Sequence, residues 1–316
     1  MKTTEEIEKL NDQAWELIHE EKLKEAAEIG HKLKAEGIES GYRIVATTYV
    51  MEEKFDRAIA ELKDGIKRIP DSWELHLQLG NFLSDNGDFD EAIRTLDQAS
   101  RLPGAEKHWI NLNKAVVYTR KADFDKALNL LQKIEHAEAV NQAFELQLRI
   151  LDQLGHHDLI LQMEDELEYL QTPEDEESAE TLSQICTHIA RAYYMEEDND
   201  AAKHYIRQAV EYQRTNTDAA ELLREINGQF SENSRIYSFV INGLLNDPES
   251  GDEIPFFTTY GVVADSEEEA LELIHDYEIE AVDKNSLEIS QVDSTENTEG
   301  DPKGIYLVGG FAFLED

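Results

Sequence analysis

Small residues recur in pairs along the first two-thirds of the chain, within segments of amphipathic helical periodicity. The members of each pair are twelve positions apart: Ala14 and Ala26, Ala46 and Ala58, Gly80 and Ala92, Ala115 and Ala127, Ala190 and Ala202. Leu148 and Ile160 replace the small pair once, and the second members follow one another at 32 to 42 residues. That period is typical of stacked helical hairpins. Because two helices approach closely only where side chains are short, each pair predicts one hairpin crossing.

Turn signals separate these helical segments. DNGDF at 85–89 and KADF at 121–124 fall between the two helices of a hairpin. IPDS at 69–72 and LPGA at 102–105 fall between successive hairpins. Glycine, proline, asparagine and aspartate interrupt helices at such points, so the chain is expected to form an array of short antiparallel helices.

Two segments, 42–70 and 77–103, resemble tetratricopeptide repeats. The matching residues in the second segment are Leu79, Gly80, Gly87, Phe89, Ala92, Ala99 and Pro103. Residues 108–135 match nearly as well, and weaker copies at 7–38, 141–173 and 183–214 extend the resemblance over about residues 3–228. The resemblance implies a solenoid of the α-α superhelix type. It also implies that the first helix of each hairpin lines a concave groove, whose outward side chains bind another protein or a peptide.

The spacing between the last two hairpins is eight residues longer, and the extra residues include TPEDEESAE at 172–180. Proline breaks helices and like charges repel, so this segment is predicted to be a longer solvated loop or kink. An acidic docking strip is the alternative. A final helix is expected at 217–228, with Thr217 or Asp218 as cap and Gly228 as stop, where it would cover the open end of the array.

The pattern changes after Gly228. RIYSFVINGLL at 235–245 and IPFFTTYGVVA at 254–264 predict a strand hairpin, followed by a helix with a capping box at Ser266 and Glu269. Further strands are expected at 286–292 and 304–315. The order ββαββ predicts a small α+β domain at 233–316, after a helical domain at 1–229. This second domain loosely resembles the small domains of bacterial toxin-immunity proteins.

The chain is strongly acidic, with 69 Asp and Glu against 29 Lys and Arg and a net charge of −40. Residues after 232 hold 20 of the acids and three of the bases. This charge repels nucleic acid and anionic membranes, so neither is expected as a partner. A basic protein partner or adaptation to high salt would both account for it. Without a signal-peptide pattern, an apolar run of spanning length or a second cysteine beside Cys186, a cytoplasmic protein is predicted.

The chain offers few residues for chemistry. His156, His157 and Asp158 are interpreted as a surface turn and not a metal site. Cys186 is expected to be a buried thiol, and Gly309-Gly310 to mark a bulge or close backbone approach. His188, Arg191 and Tyr194 share one helix face and form either an acid–base group or an ordinary inner surface. The prediction is that there is no enzyme activity, no cofactor and no metal.

The predicted groove residues are those of each first helix one turn before, one after and four after the small residue. They are Trp15, Arg43, Thr47, Leu77, Asn81, Leu112, Val116, Arg120, Glu145, Arg149, Thr187, Arg191 and Tyr194. Four of them are arginines, whose guanidinium groups suit carboxylates. These arginines either bind a partner or pair with the chain's own acids. The leading hypothesis is therefore a scaffold or adaptor that binds a polypeptide, and the alternative is an inhibitor or immunity-type protein that neutralises a basic effector.

Overall fold

The structure is a computed structural model of the 316-residue chain, and it describes residues 4–134, 137–247, 251–296 and 300–313. The chain divides into two compact units, Met1–Ala139 and Val140–Asp316. The predicted limits 1–229 and 233–316 coincide with the change from helices to strands, which falls inside the second unit. As domain limits they stay a prediction.

The first unit consists of four helical hairpins in its described residues. Their helices are α1 (Thr4–His19), α2 (Leu23–Ala35), α3 (Glu39–Met51), α4 (Phe55–Arg68), α5 (Trp73–Asp85), α6 (Phe89–Ala99), α7 (Lys107–Arg120) and α8 (Phe124–Leu131). The paired alanines at their crossings are all 0% exposed. At Gly80, a Cβ atom would stand 2.6 Å from Leu96 Cγ, so only glycine lets α5 approach α6 this closely. The pairing of small residues is confirmed.

One close approach does not follow the twelve-residue pattern. A Cβ atom on Gly41 of α3 would stand 2.6 Å from the carbonyl oxygen of Gly30 and 2.9 Å from the carbonyl carbon of Leu33, both in α2. Here the backbones of two successive hairpins touch directly. The contact joins hairpins, whereas the predicted pairs join the two helices within one.

The turn inside each hairpin repeats one backbone geometry with different residues. Glu21, Glu53, Gly87 and Ala122 each adopt a left-handed φ, between 57° and 86°. This conformation costs a residue other than glycine about 1 kcal/mol. The tertiary packing therefore imposes the turn even where glycine is missing.

The helices of the second unit are less regular than those of the first. They are α9 (Ala137–Gln153), α10 (His157–Gln162), a 3₁₀ helix (Glu164–Tyr169), α11 (Glu176–Met195), α12 (Asn199–Tyr212) and α13 (Thr217–Asn227). Leu148 and Ile160, which replace the small pair, are both 0% exposed. Larger side chains at this crossing accompany the shortest α-helix of the described chain, α10.

The structure corrects two predictions about helix starts in this unit. The loop expected at 172–180 ends early, because Asp175 accepts a hydrogen bond from the Ser178 amide at 2.9 Å and starts α11 at Glu176. The carboxylates of the first turn stabilise the helix through a favourable interaction with its dipole. The cap of α13 is Asn216, whose side-chain oxygen accepts from the Ala219 amide at 3.0 Å, and not Thr217 or Asp218. Gly228 ends that helix in the left-handed conformation as predicted.

The C-terminal part is a small α+β domain. It contains β1 (Arg235–Asn246), β2 (Glu253–Ala264), α14 (Glu267–Tyr277), β3 (Val282–Glu296), β4 (Gly304–Val308) and β5 (Ala312–Phe313). The sheet is antiparallel in the order β3-β1-β2-β4, with β5 also paired to β2. The single strand predicted at 304–315 is two strands, and between them the Gly309 carbonyl accepts hydrogen bonds from the Arg214 guanidinium at 2.6 Å and the Thr258 hydroxyl at 2.9 Å. The fold class, TPR-like helical hairpins followed by an α+β domain, is confirmed.

A buried arginine connects the last helices to this domain. Arg214 lies between α12 and α13 and is 7% exposed, and Glu278, just after α14, is 0% exposed. Arg214 Nε donates to both Glu278 carboxylate oxygens at 2.9 Å. Its Nη1 donates to the Gly309 carbonyl at 2.6 Å, and its Nη2 donates to the Tyr260 hydroxyl. Tyr277 completes the group by donating to the Arg214 carbonyl at 2.7 Å.

Candidate partner-binding surface

The first helices of the hairpins form one layer in the first unit. Helix α3 contacts both α1 and α5, and α5 also contacts α7. We define the α3–α5–α7 face by Arg43, Thr47, Asn81, Val116 and Arg120, five of the predicted groove residues. Side chains of neighbouring helices connect along this face, so the structure brings these predicted residues together.

Gln78 links α3 to α5, a role that the sequence did not reveal. Its amide nitrogen donates to Thr47 Oγ1 at 2.8 Å, and its amide oxygen accepts from Arg43 Nε at 3.3 Å. Both donor and acceptor groups of this amide are therefore used inside the protein. Gln78 fixes the position of Arg43, which also lies 3.5 Å from Glu39.

A polar cavity of about 220 Å³ opens on the same face between α5 and α7. It is lined by Asn81, Ser84, Asp85, Asn113, Val116, Val117 and Arg120. Arg120 Nη1 donates to Ser84 Oγ at 2.9 Å and to Asp85 Oδ1 at 2.5 Å across the cavity. Within the described residues the Asn81 carboxamide has no hydrogen bond, so one donor group and one acceptor group are available to a ligand.

Other predicted groove residues belong to the packing between helices. Trp15 and Leu77 are partly buried against the hydrophobic cores of their hairpins. Leu112 is 8% exposed and Thr187 is 3% exposed. Thr187 Oγ1 donates to the Ser183 carbonyl, as a hydroxyl inside a helix often does. Leu112 and Thr187 are therefore not accessible to a partner.

The second unit holds a charged cluster on its first helices. His188 of α11 contacts two acids of α9, with Nδ1 3.0 Å from Asp152 Oδ2 and Nε2 3.7 Å from Glu145 Oε1. Arg191 Nε lies 3.6 Å from the same Asp152 oxygen, and His157 Nε2 lies 3.4 Å from its other oxygen. We call these five residues the His188 cluster. It contains two predicted groove residues, Glu145 and Arg191, together with the candidate acid–base residue His188.

The His188 cluster changes the protonation of its members. Burial alone would lower the pKa of His188, but its hydrogen bond to Asp152 and the nearby Glu145 carboxylate outweigh burial and raise that pKa above its ordinary 6.5. Burial would raise the pKa of Asp152, yet the hydrogen bond and the charge of His188, with Arg191 and His157, lower it. The cluster therefore favours a charged histidine between two carboxylates.

Raising the pH from about 6 to about 8 is expected to lower the stability of the second unit. A histidine whose pKa is raised on folding stabilises fully below its unfolded pKa of about 6.5, and this stabilisation is lost as the pH rises through the folded pKa. Hydrogen exchange of α11 amides at both pH values, corrected for the intrinsic rate, measures the change. The His188→Gln variant should show a flatter pH dependence, and an unchanged dependence would contradict the assignment.

All four predicted groove arginines have an internal carboxylate partner. The pairs are Arg43 with Glu39 at 3.5 Å, Arg120 with Asp85 at 2.5 Å, Arg149 with Glu145 at 3.4 Å and Arg191 with Asp152 at 3.6 Å. Each arginine side chain is still between 34% and 52% exposed. Ion pairs this exposed contribute only about 0–1 kcal/mol. A partner's carboxylate can therefore replace the internal one at little cost.

Tyr194 and Cys186 are the remaining candidate side chains of α11. Tyr194 is partly buried at the end of α11. Burial raises the pKa of the Cys186 thiol to about 12, which leaves it protonated at neutral pH. Over the ranges that the structure describes, no three His, Cys, Asp or Glu side chains are placed to hold a metal ion.

Family models identify the helical hairpins. Two models described as tetratricopeptide repeat match residues 49–109 and 183–216. The chain contains tetratricopeptide repeats. The first match covers α4 to α6, next to the cavity, and the second covers α11 and α12. Members of this family bind other proteins or peptides and are in general non-catalytic scaffolds.

Solved structures share the fold at low sequence identity. PilW, described as a widely conserved type IV pilus biogenesis factor, is 18% identical with a TM-score of 0.52, and the match covers 71% of this chain and 100% of that one. PilF from Pseudomonas aeruginosa is 14% identical with a TM-score of 0.50, covering 70% and 98%. The Cut9–Hcn1 heterotetramer of the APC/C gives 17% identity and a TM-score of 0.50, but the match spans only 42% of that chain and 69% of this one. The comparison with curated proteins gives no match.

Outside residues 1–3, 135–136, 248–250, 297–299 and 314–316, none of the helices of this protein combines the length and the apolar character that crossing a bilayer requires.

Proposed function

We propose that this protein is a non-catalytic scaffold that binds a polypeptide partner on the α3–α5–α7 face. The observation that carries the proposal is the cavity between α5 and α7. The free carboxamide of Asn81 can hydrogen-bond to a peptide backbone there, and Arg120 can exchange Asp85 for a carboxylate of the partner. An acidic or neutral segment in extended conformation fits these groups best. Arg43 and Thr47 would continue the contact along α3.

The proposal includes no cofactor and no metal, and it excludes nucleic acid and membranes as partners. A net charge of −40 supports the exclusion, because phosphate groups are repelled. A cytoplasmic location stays a prediction. Arg149, Arg191 and Tyr194 are proposed as a second contact area on the first helices of the second unit.

Affinity capture with quantitative mass spectrometry tests the proposal. The double variant Asn81→Ala/Arg120→Glu is expected to capture its partner at least about tenfold less, since buried polar and arginine contacts dominate many interfaces. The matched control is Arg68→Glu, a charge reversal on α4 whose arginine is 65% exposed and pairs with Asp64. Both variants should unfold within about 0.5 kcal/mol of the wild type. If the double variant and the control capture equal amounts of the partner, the α3–α5–α7 face is not the binding site.

The same capture experiment distinguishes the proposed scaffold from an alternative, a protein that neutralises a basic effector. The 20 acids against three bases after residue 232 favour this second candidate. A complex held by net charge should dissociate when the salt concentration rises from about 50 to about 500 mM, because the Debye length shrinks. The Asn81→Ala variant should also capture as much of such a partner as the wild type does. A complex on the α3–α5–α7 face should instead persist at the higher salt concentration and be weakened by Asn81→Ala.

A further inference from the structure

A second cavity lies within the Val140–Asp316 unit, where α12 and α13 meet α14 and β4. Its volume is about 260 Å³. Its floor is apolar: Ile206 and Val210 of α12 are each 2% exposed, and Ile305 of β4 is 4% exposed. A cavity with such a floor suits a hydrocarbon group.

The rim of this cavity is basic. Lys203, Arg207 and Arg224 line it, with Asp276 as the acidic residue of the lining. This excess of positive charge stands out in a chain with 69 acids and 29 bases. Arg207 is held in place, because its Nη1 donates to the Tyr277 carbonyl at 2.9 Å and its Nη2 lies 3.1 Å from Glu211.

Arg224 and Lys203 are not neutralised in this way. Neither has a carboxylate within ion-pair distance among the residues that the structure describes. The Nε atom of Arg224 is buried and has no acceptor. The arginine stem lies against Gly304, and its guanidinium is 6.0 Å from the centre of the Tyr306 ring. A buried donor without an acceptor is unfavourable, and an anionic ligand would supply the missing acceptor.

We propose that this cavity binds a small monocarboxylate with a branched or aromatic apolar body. The carboxylate would lie between Arg224 and Lys203, and the body would pack on Ile206, Val210 and Ile305. Asp276 on the rim disfavours a dianion such as phosphate. At about 260 Å³ the cavity has room for an acid of about six to nine carbon atoms in total. The site is independent of the α3–α5–α7 face and does not rest on the function proposed for it.

Two sources could present this chemistry, a free organic acid or the C-terminal residue of another chain. Isothermal titration of the full-length protein with 4-methylpentanoate and 3-phenylpropanoate tests the first. Titration with N-acetyl-leucine, which carries the amide of a peptide, tests the second. The tighter class of probe identifies the source. The amides of 4-methylpentanoate and 3-phenylpropanoate are the control ligands, because they keep the apolar body and lack the negative charge.

Saturable binding of at least one acid is expected. Arg224→Met, which keeps an apolar stem against Gly304, and Lys203→Gln should each weaken it, Arg224→Met by about tenfold or more. Arg235→Met on the exposed end of β1 is the matched control and should bind as the wild type does. The proposal is wrong if no carboxylate shows saturable binding. It is also wrong if the amides bind as tightly as the acids, or if both rim variants bind the acids as tightly as the wild type does. Circular dichroism verifies that each variant is folded.

Discussion

Replacing Arg214 with methionine is expected to lower the free energy of unfolding of the second unit by about 3–5 kcal/mol, the usual cost of removing one partner of a buried ion pair. Glu278 is 0% exposed and would keep a buried charge without its counter-ion. The Gly309 carbonyl and the Tyr260 hydroxyl would lose their donors as well. Urea denaturation followed by far-ultraviolet circular dichroism measures the change.

Two further variants identify the cause of that loss. Arg235→Met removes an exposed arginine of β1 and should change stability by no more than about 0.5 kcal/mol. Arg214→Met/Glu278→Met removes both charges, and it should recover part of the stability because apolar replacement of a whole buried pair is often tolerated. If Arg214→Met behaves like Arg235→Met, the buried network does not hold the α+β domain on the helices.

Replacing Gly41 with alanine is expected to destabilise the first unit by about 2 kcal/mol, although alanine is the better helix former. The intrinsic preference for alanine in a helix is worth about 1 kcal/mol. The new methyl group would meet backbone atoms of Gly30 and Leu33, which cannot turn away as a side chain can. Overpacking typically costs about 1–3 kcal/mol and more where backbone must shift, so the steric cost exceeds the gain.

Tryptophan fluorescence during urea denaturation reports on this unit alone. Trp15, Trp73 and Trp109 are the three tryptophans of the chain, and all lie within Met1–Ala139. Lys32→Ala, an exposed position of α2, is the control and should stay within about 0.5 kcal/mol of the wild type. A stabilised Gly41→Ala variant would show that the helices can separate without cost.

The hairpins could be predicted because their signal is local and repeated. Ala46 and Ala58 belong to one hairpin, and five pairs of small residues in the chain have the same spacing of twelve. Gly41 has no such repeated counterpart, and its contact with α2 depends on how successive hairpins stack. The cap of α13 was missed by one residue, since Asn216 also donates to Ser183 and Thr187 of α11. That tertiary contact selects the cap among three adjacent polar residues.

The candidate surface was predicted in part. Asn81, Val116 and Arg120 were predicted to lie on one face, and the structure joins them at one cavity. It also selected Leu112, whereas the residue that lines the cavity is its neighbour Asn113. One residue is a rotation of about 100° around a helix, so an error of one position exchanges a buried and an accessible side chain. The carboxylate partners of the arginines come from the helical turn before or from the adjacent hairpin, and only the three-dimensional arrangement selects them.

The Arg214 network bears on how the polypeptide can be divided. Residue 228 marks a change of secondary structure, yet truncation there would separate Arg214 from Glu278 and expose Ile206, Val210 and Ile305 to water. Fragments that end or begin at this point are expected to be insoluble or partly unfolded. A division between α8 and α9 would instead leave Arg214, Glu278, Tyr260 and Gly309 together in one fragment.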